Sequence, residues 1–93
     1  MASEKLLEAD LRKEVRQAKG EAIKFLPSLT GLPDRIVLMP LGHIWFVELK
    51  TTGKKPQPLQ LWWKKRLEAL GFEWRLIDDE ASLRNFINEI NGL

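Results

Sequence analysis

Three charged side chains in this sequence have the types and spacing that hydrolysis of an anionic ester requires. Asp34 stands just before one apolar run, and Glu48 and Lys50 sit two residues apart at the end of the next, within the stretch 31–50, GLPDRIVLMPLGHIWFVELK. Two carboxylates offer hard oxygen ligands to Mg²⁺ or Mn²⁺, and a neighbouring ammonium can orient or help deprotonate an attacking water. No second His and no Cys accompanies His43, so a zinc site is not expected, and His43 reads as a turn residue.

The elements that must position this trio are legible from residue types. Ile, Val, Leu and Met follow Arg35 in 35–39, and Ile44, Trp45, Phe46 and Val47 fill the following run. The four residues Pro40-Leu41-Gly42-His43 between them predict a β-hairpin with a Gly-containing loop. Side chains alternate along a strand, so Glu48 and Lys50 share one face with Ile44 and Phe46. Antiparallel pairing returns the start of the first strand, with Asp34, beside the end of the second. A buried Asp/Glu–Lys ion pair without chemistry is the plainer alternative, but it would cost desolvation for little net gain.

This constellation resembles the PD-(D/E)-x-K nuclease superfamily, whose motif reads here as Pro33-Asp34, a hairpin, then Glu48-Leu49-Lys50. The wider run of Gly31-Leu32-Pro33-Asp34-Arg35, Trp45-Phe46-Val47 leading into Glu48-Leu49-Lys50-Thr51, and Pro58-Leu59-Gln60 opening a helix is similar to the stand-alone VRR-NUC domain, the virus-type replication and repair nuclease module. The resemblance spans about 8–78. It implies a metal-dependent DNA endonuclease in which Asp34, Glu48, the Leu49 carbonyl and an acid of the first helix, best matched by Glu8, hold Mg²⁺ or Mn²⁺. It further implies roles for Lys50 and Gln60 beside the metal, a homodimer acting on branched DNA such as Holliday junctions, and a phage or prophage origin. Alternatives are a non-catalytic DNA-binding or assembly module, and a nuclease nicking linear duplex with sequence preference.

Composition is compatible with that reading without demanding it. Ninety-three residues suffice for one domain with one core, so 1–93 is expected to be a single unit. Without cysteine there is neither a disulfide framework nor a thiolate metal site, and a reducing cytoplasm is allowed. Charges interrupt every apolar stretch of the N-terminus, so a signal peptide or membrane span is not expected. Fifteen Lys and Arg against 13 Asp and Glu leave a net charge of only +2. Lys54-Lys55 and Lys64-Lys65-Arg66 concentrate positive charge after the second strand, where they would meet phosphates or simply be solvated.

Along the chain, Ser3 is a cap candidate for a first helix with an apolar stripe at Leu7, Leu11, Val15 and Ala18, ended by Gly20. Glu8 borders that stripe, either as a site residue or as a surface glutamate; Glu4 and Glu14 align less well. Residues 21–26 read as a strand, with Ile23 and Phe25 on one face and Ala22, Lys24 and Leu26 on the other. Lys24 would contact a substrate phosphate if its face is the catalytic one and would otherwise snorkel at the sheet edge. The loop 27–33 carries Pro27, Gly31 and Pro33, with Gly31 either at a positive-φ turn or where backbone nears substrate.

Pro58 suits the first turn of a second helix, in which Leu59, Trp63, Leu67 and Leu70 are spaced to pack together before Gly71. Trp62 and Trp63, about 100° apart around it, cannot both face the core, so one should be partly exposed, either to stack on a base, to meet a subunit or simply as a partly buried ring. Residues 72–77 form a last strand, and Asp79 caps a final helix with a stripe of Leu83, Phe86, Ile87 and Ile90. The expected fold is α/β, of restriction-endonuclease-like order: helix, three strands, helix, strand, with an extra C-terminal helix, the mixed sheet flanked by helices.

Overall fold

A computed structural model describes residues 3–24, 26 and 28–93. The expected element order is present: α1 (Glu4–Gln17), β1 (Glu21–Lys24), β2 (Arg35–Met39), β3 (His43–Leu49), α2 (Pro58–Ala69), β4 (Glu73–Ile77) and α3 (Glu80–Asn91). Phe25 and Pro27, which the sequence places in the first strand and the following loop, lie outside the described residues.

The Ser3 hydroxyl accepts the Leu6 N–H at 3.2 Å and starts α1, whose Leu7, Leu11 and Val15 are buried. The helix ends differently from the sequence expectation: the residue with positive φ is Lys19, not Gly20. Gly20 is needed for a close approach, since a Cβ there would run into the Met39 sulfur and come 2.5 Å from the Leu38 carbonyl oxygen. Gly20→Ala is therefore expected to destabilise the fold by about 1–3 kcal/mol through overpacking, measurable as a lower midpoint in urea with an unchanged slope.

The sheet order is β1-β2-β3-β4. β1, β2 and β3 pair antiparallel, whereas β4 lies parallel to β3. The parallel return requires a crossover, which α2 supplies. The hairpin turn is one residue shorter than expected: Pro40–Gly42 forms a 3₁₀ turn, and His43 already pairs with Met39.

Register assigns the two faces. Val37, Trp45, Val47, Leu49 and Ile77 join Leu7, Leu11 and Val15 of α1 and Leu83, Phe86, Ile87 and Ile90 of α3 in one core. Arg75 of β4 donates to Glu89 of α3 at 2.9 and 2.6 Å, tying that helix to the sheet edge. The Asp79 carboxylate accepts the Ser82 N–H at 2.7 Å and caps α3 as the sequence suggests.

The opposite face carries Ile36, Phe46 and Trp74 in one cross-strand row and is met by α2, chiefly over β4. Here the stripe reading of α2 is only partly matched. Leu67 is buried, but Leu59 and Leu70, at the two ends of the stripe, remain about half exposed. As expected of adjacent helix positions, Trp63 is half-buried while Trp62 remains 54% exposed. Among the described residues no helix is long and apolar enough to cross a membrane.

Candidate active site

The ladder between β2 and β3 ends with Arg35 opposite Val47, so Asp34 stands just beyond it, at the end of the sheet that carries Glu48 and close enough for its charge to act on that carboxyl. Pro33 holds Asp34 outside the paired strand, where its carboxylate stays partly accessible. Glu48, in contrast, is only 6% exposed. Its Oε2 accepts from the Gln60 amide at 3.0 Å and lies 3.8 Å from the Lys50 ammonium.

Gln60 is held at both ends. Its Oε1 accepts the Gln57 N–H at 2.7 Å, closing the first turn of α2, while its Nε2 reaches Glu48. Gly31 allows α2 to sit this close to the preceding loop: its φ is 93°, and a Cβ would come 2.7 Å from Leu59 Cγ. That contact is with α2, which is what the glycine makes room for.

Burial pushes the Glu48 carboxyl up to about 7, with the negative charges of Asp34 and Glu4 adding to the shift and Lys50 opposing it. Its second oxygen, Oε1, is buried and has no hydrogen-bond partner among the described residues. An orphaned carboxylate oxygen in a desolvated site, with a second carboxylate near enough to raise its pKa, is a donor set that fits a divalent cation. Among the described residues no three acidic or imidazole side chains converge. Asp34 and Glu48 would thus supply two carboxylates, with the Leu49 carbonyl or water completing the shell.

Glu8 is at the same end of the sheet but is linked through Arg35. The Arg35 guanidinium donates to Glu8 at 2.6 Å and also pairs with Asp34. Burial works against its charge, yet the hydrogen bonds to Glu8 and Asp34 hold its pKa above the ordinary arginine value. Sequence reasoning assigned Arg35 no role. The available signal was its alternation with Val37 and Met39, which places a cation on the core face and demands an acid from α1.

The expected DNA-binding lysines are dispersed. Lys54 and Lys55 are exposed in the segment between β3 and α2. The Lys64 ammonium lies 5.3 Å from the centre of the Trp74 ring, a cation–π contact on the sheet. Lys24 pairs with Arg35, so it belongs to the α1 face and not to the face of Glu48; it lines a cavity of about 400 Å³ with Arg12, Arg16 and Arg35. His43 is exposed beside Trp45 at the far end of β3.

A mixed sheet joined by α2, with Asp34, Glu48 and Lys50 at one end, defines the PD-(D/E)-x-K class of nuclease fold. No protein-family model matches the chain. It is 45% identical over 75 residues to "Putative nuclease p44" of Acyrthosiphon pisum secondary endosymbiont phage 1, covering 80% of this chain and 81% of that protein. Its structure is similar to a solved "VRR_NUC domain", with a TM-score of 0.84 and 26% identity over 94% of this chain and 97% of the other. The chain belongs to the VRR-NUC family of nucleases.

Proposed function

We propose that this protein is a metal-dependent endonuclease that hydrolyses phosphodiester bonds in DNA, selective for branched structures such as four-way junctions and acting as a homodimer in the cytoplasm of a phage-infected or lysogenic host. The observation that carries the reading is Glu48: a buried carboxylate with one oxygen held by Gln60 and Lys50, the other unpartnered among the described residues, and the charge of Asp34 acting on it.

Asp34 and Glu48 would hold Mg²⁺ or Mn²⁺, which supplies Lewis-acid stabilisation of a charged phosphate and lowers the pKa of a bound water. The rest falls to this chain's own groups. The Lys50 ammonium, close to Glu48, orients the water that attacks phosphorus, favours loss of its proton to solvent by its positive charge and balances the charge that builds on the phosphate oxygens. Gln60 fixes the rotamer of Glu48 so that its free oxygen stays directed into the site. Arg35 positions Glu8 and Asp34 together, which gives Glu8 its part in the site through the guanidinium. Lys54 and Lys55, exposed on the segment that leaves the site, are placed to neutralise flanking phosphates.

Dimerisation is supported by the half of the α2 face that α2 leaves open. Ile23, Leu38, Ile44 and Phe72 remain 36–42% exposed, with Leu38 opposite Ile44 and the Phe72 ring edge-on to Phe46. One site cuts one strand, so resolving a junction requires a second copy.

The test is a cleavage panel of four-way junction, flap and linear duplex with Mg²⁺ or Mn²⁺, beside a solution mass. Paired nicks in the junction by a species of twice the chain mass are expected. Intact DNA with both metals at high protein concentration would remove the nuclease reading. Equal cutting of linear duplex would remove only the branch selectivity.

A further inference from the structure

The outward face of α2 carries an aromatic and cationic surface that the active-site chemistry does not use. Leu29, Thr30, Pro58, Leu59, Trp62 and Trp63 line an open groove of about 670 Å³. The two indoles meet edge to face with centroids 4.9 Å apart, and the Trp63 N–H donates to the Thr30 carbonyl at 3.2 Å. Trp63 is thus a fixed wall, while the Trp62 ring is over half exposed. A large apolar ring left this open beside a groove is unusual on a soluble surface and marks a binding feature.

Three observations indicate what occupies it. Pro58 and Leu59, which line the groove, belong to the same first turn of α2 that holds Gln60 against Glu48, so groove and site share the N-terminal end of this helix on different faces. Lys65 and Arg66 follow Trp62 by three and four positions, hence share its face, and both are exposed with no ion-pair partner among the described residues. A second copy docked here across a twofold would crowd like charges, whereas a polyanion would be attracted. An apolar slot floored by leucine and tryptophan and bordered by cations matches a flat base on a phosphate strand.

We propose that this groove binds an unpaired nucleobase of the strand being cut, stacked on Trp62, with Lys65 and Arg66 neutralising the phosphates next to it. The inference rests on the nuclease reading and adds to it a substrate class: DNA with an unstacked nucleotide close to the scissile bond. A flap, or a strand opened at a branch point, offers such a base at little unstacking cost because it is already single-stranded, whereas an intact duplex does not. The slot then contributes to branch selectivity by reading an exposed base face instead of a sequence.

The experiment measures binding without cutting, using the full-length Asp34→Ala chain and a fluorescein-labelled oligothymidylate, alongside the same strand with abasic positions. Adding Trp62→Ala should weaken binding of the thymidylate by about tenfold or more, the scale of one stacked base, and Trp62→Phe should retain most of the affinity. The abasic strand should bind both Trp backgrounds alike. Lys65→Ala should lower the salt dependence of binding by about one phosphate contact. Equal thymidylate affinity with and without Trp62 overturns the proposal, as does a Trp62→Ala chain that has lost a dimer present in the parent. Because binding is read apart from cleavage, an inactive wild-type chain that still discriminates the abasic strand would sink the nuclease reading and leave the slot standing.

Discussion

Asp34→Ala is expected to lower junction cleavage by about 10³-fold or more while leaving a folded protein that still binds DNA. Asp34 lies outside the β ladder and is partly exposed, so its removal would take away the proposed cation ligand without opening the core. Its one ion-pair partner, Arg35, keeps Glu8 at 2.6 Å, so the buried guanidinium is not left unpaired, and the stability loss should be about 1 kcal/mol. Lys50→Ala should reduce the rate by about 10²–10⁴-fold through loss of water activation and charge balance, again with binding retained. Single-turnover cleavage measured beside DNA affinity and thermal midpoint checks both variants. Near wild-type rates in either would show that the charges at this end of the sheet do not carry the chemistry.

The second large effect is a dependence of stability on pH that a divalent cation removes. The Glu48 carboxyl holds its proton to about 7 when folded, against an ordinary value of 4.5. The folded state therefore binds more protons than the unfolded one between these values, and stability must fall as pH rises through that window. The contribution is fully present below about pH 4.5 and lost above about pH 7; a shift of this size corresponds to about 3 kcal/mol. Glu89 and Asp79, whose pKa values are lowered by the Arg75 hydrogen bond and by the α3 cap respectively, act in the opposite direction, but at lower pH.

Wild-type protein in chelator should accordingly be less stable at pH 8 than at pH 5.5. Glu48→Gln, which carries no ionisable group, should flatten that difference. Saturating Mg²⁺ or Mn²⁺ should restore wild-type stability at pH 8 by about 3 kcal/mol at a hundredfold excess over the dissociation constant, and should do little for Glu48→Gln. Urea unfolding across pH, with and without metal, provides the measurement. A wild-type profile identical to that of Glu48→Gln would mean that the carboxylate is not held in the desolvated state from which the reading starts.

The sequence made most of the fold legible because its strongest signals are local. The Leu7, Leu11 and Val15 stripe, the Asp79 cap and the alternation through Trp45, Val47 and Leu49 each identify an element from neighbours in the chain. That Asp34 returns to the end of the sheet carrying Glu48 followed from a short hairpin turn, and one residue fewer in that turn leaves the ladder ending one step short of them, at Arg35 and Val47. What escaped depends on partners far away in the chain. Arg35 acquires its place only because α1 brings Glu8 to the core face. Which face of β1 Lys24 occupies is fixed by its register with β2, and periodicity could only say which residues accompany it. The stripe through Leu59 and Leu70 likewise shows that they share a side of α2, not that anything covers it. Gly20 and Lys19 exchange roles for a steric reason, the closeness of Met39 and Leu38, that no local pattern encodes.

The central claim is that Asp34 and Glu48 together grip a divalent ion at one end of the sheet. Crystals of the protein soaked with Mn²⁺ and measured by anomalous diffraction test it most directly. The expected result is one strong anomalous peak bonded to a carboxylate oxygen of each residue, with the Lys50 ammonium close by, and no such peak in Asp34→Ala. Manganese found only elsewhere, with both carboxylates turned away from a common point in a protein that still cuts DNA, would contradict it.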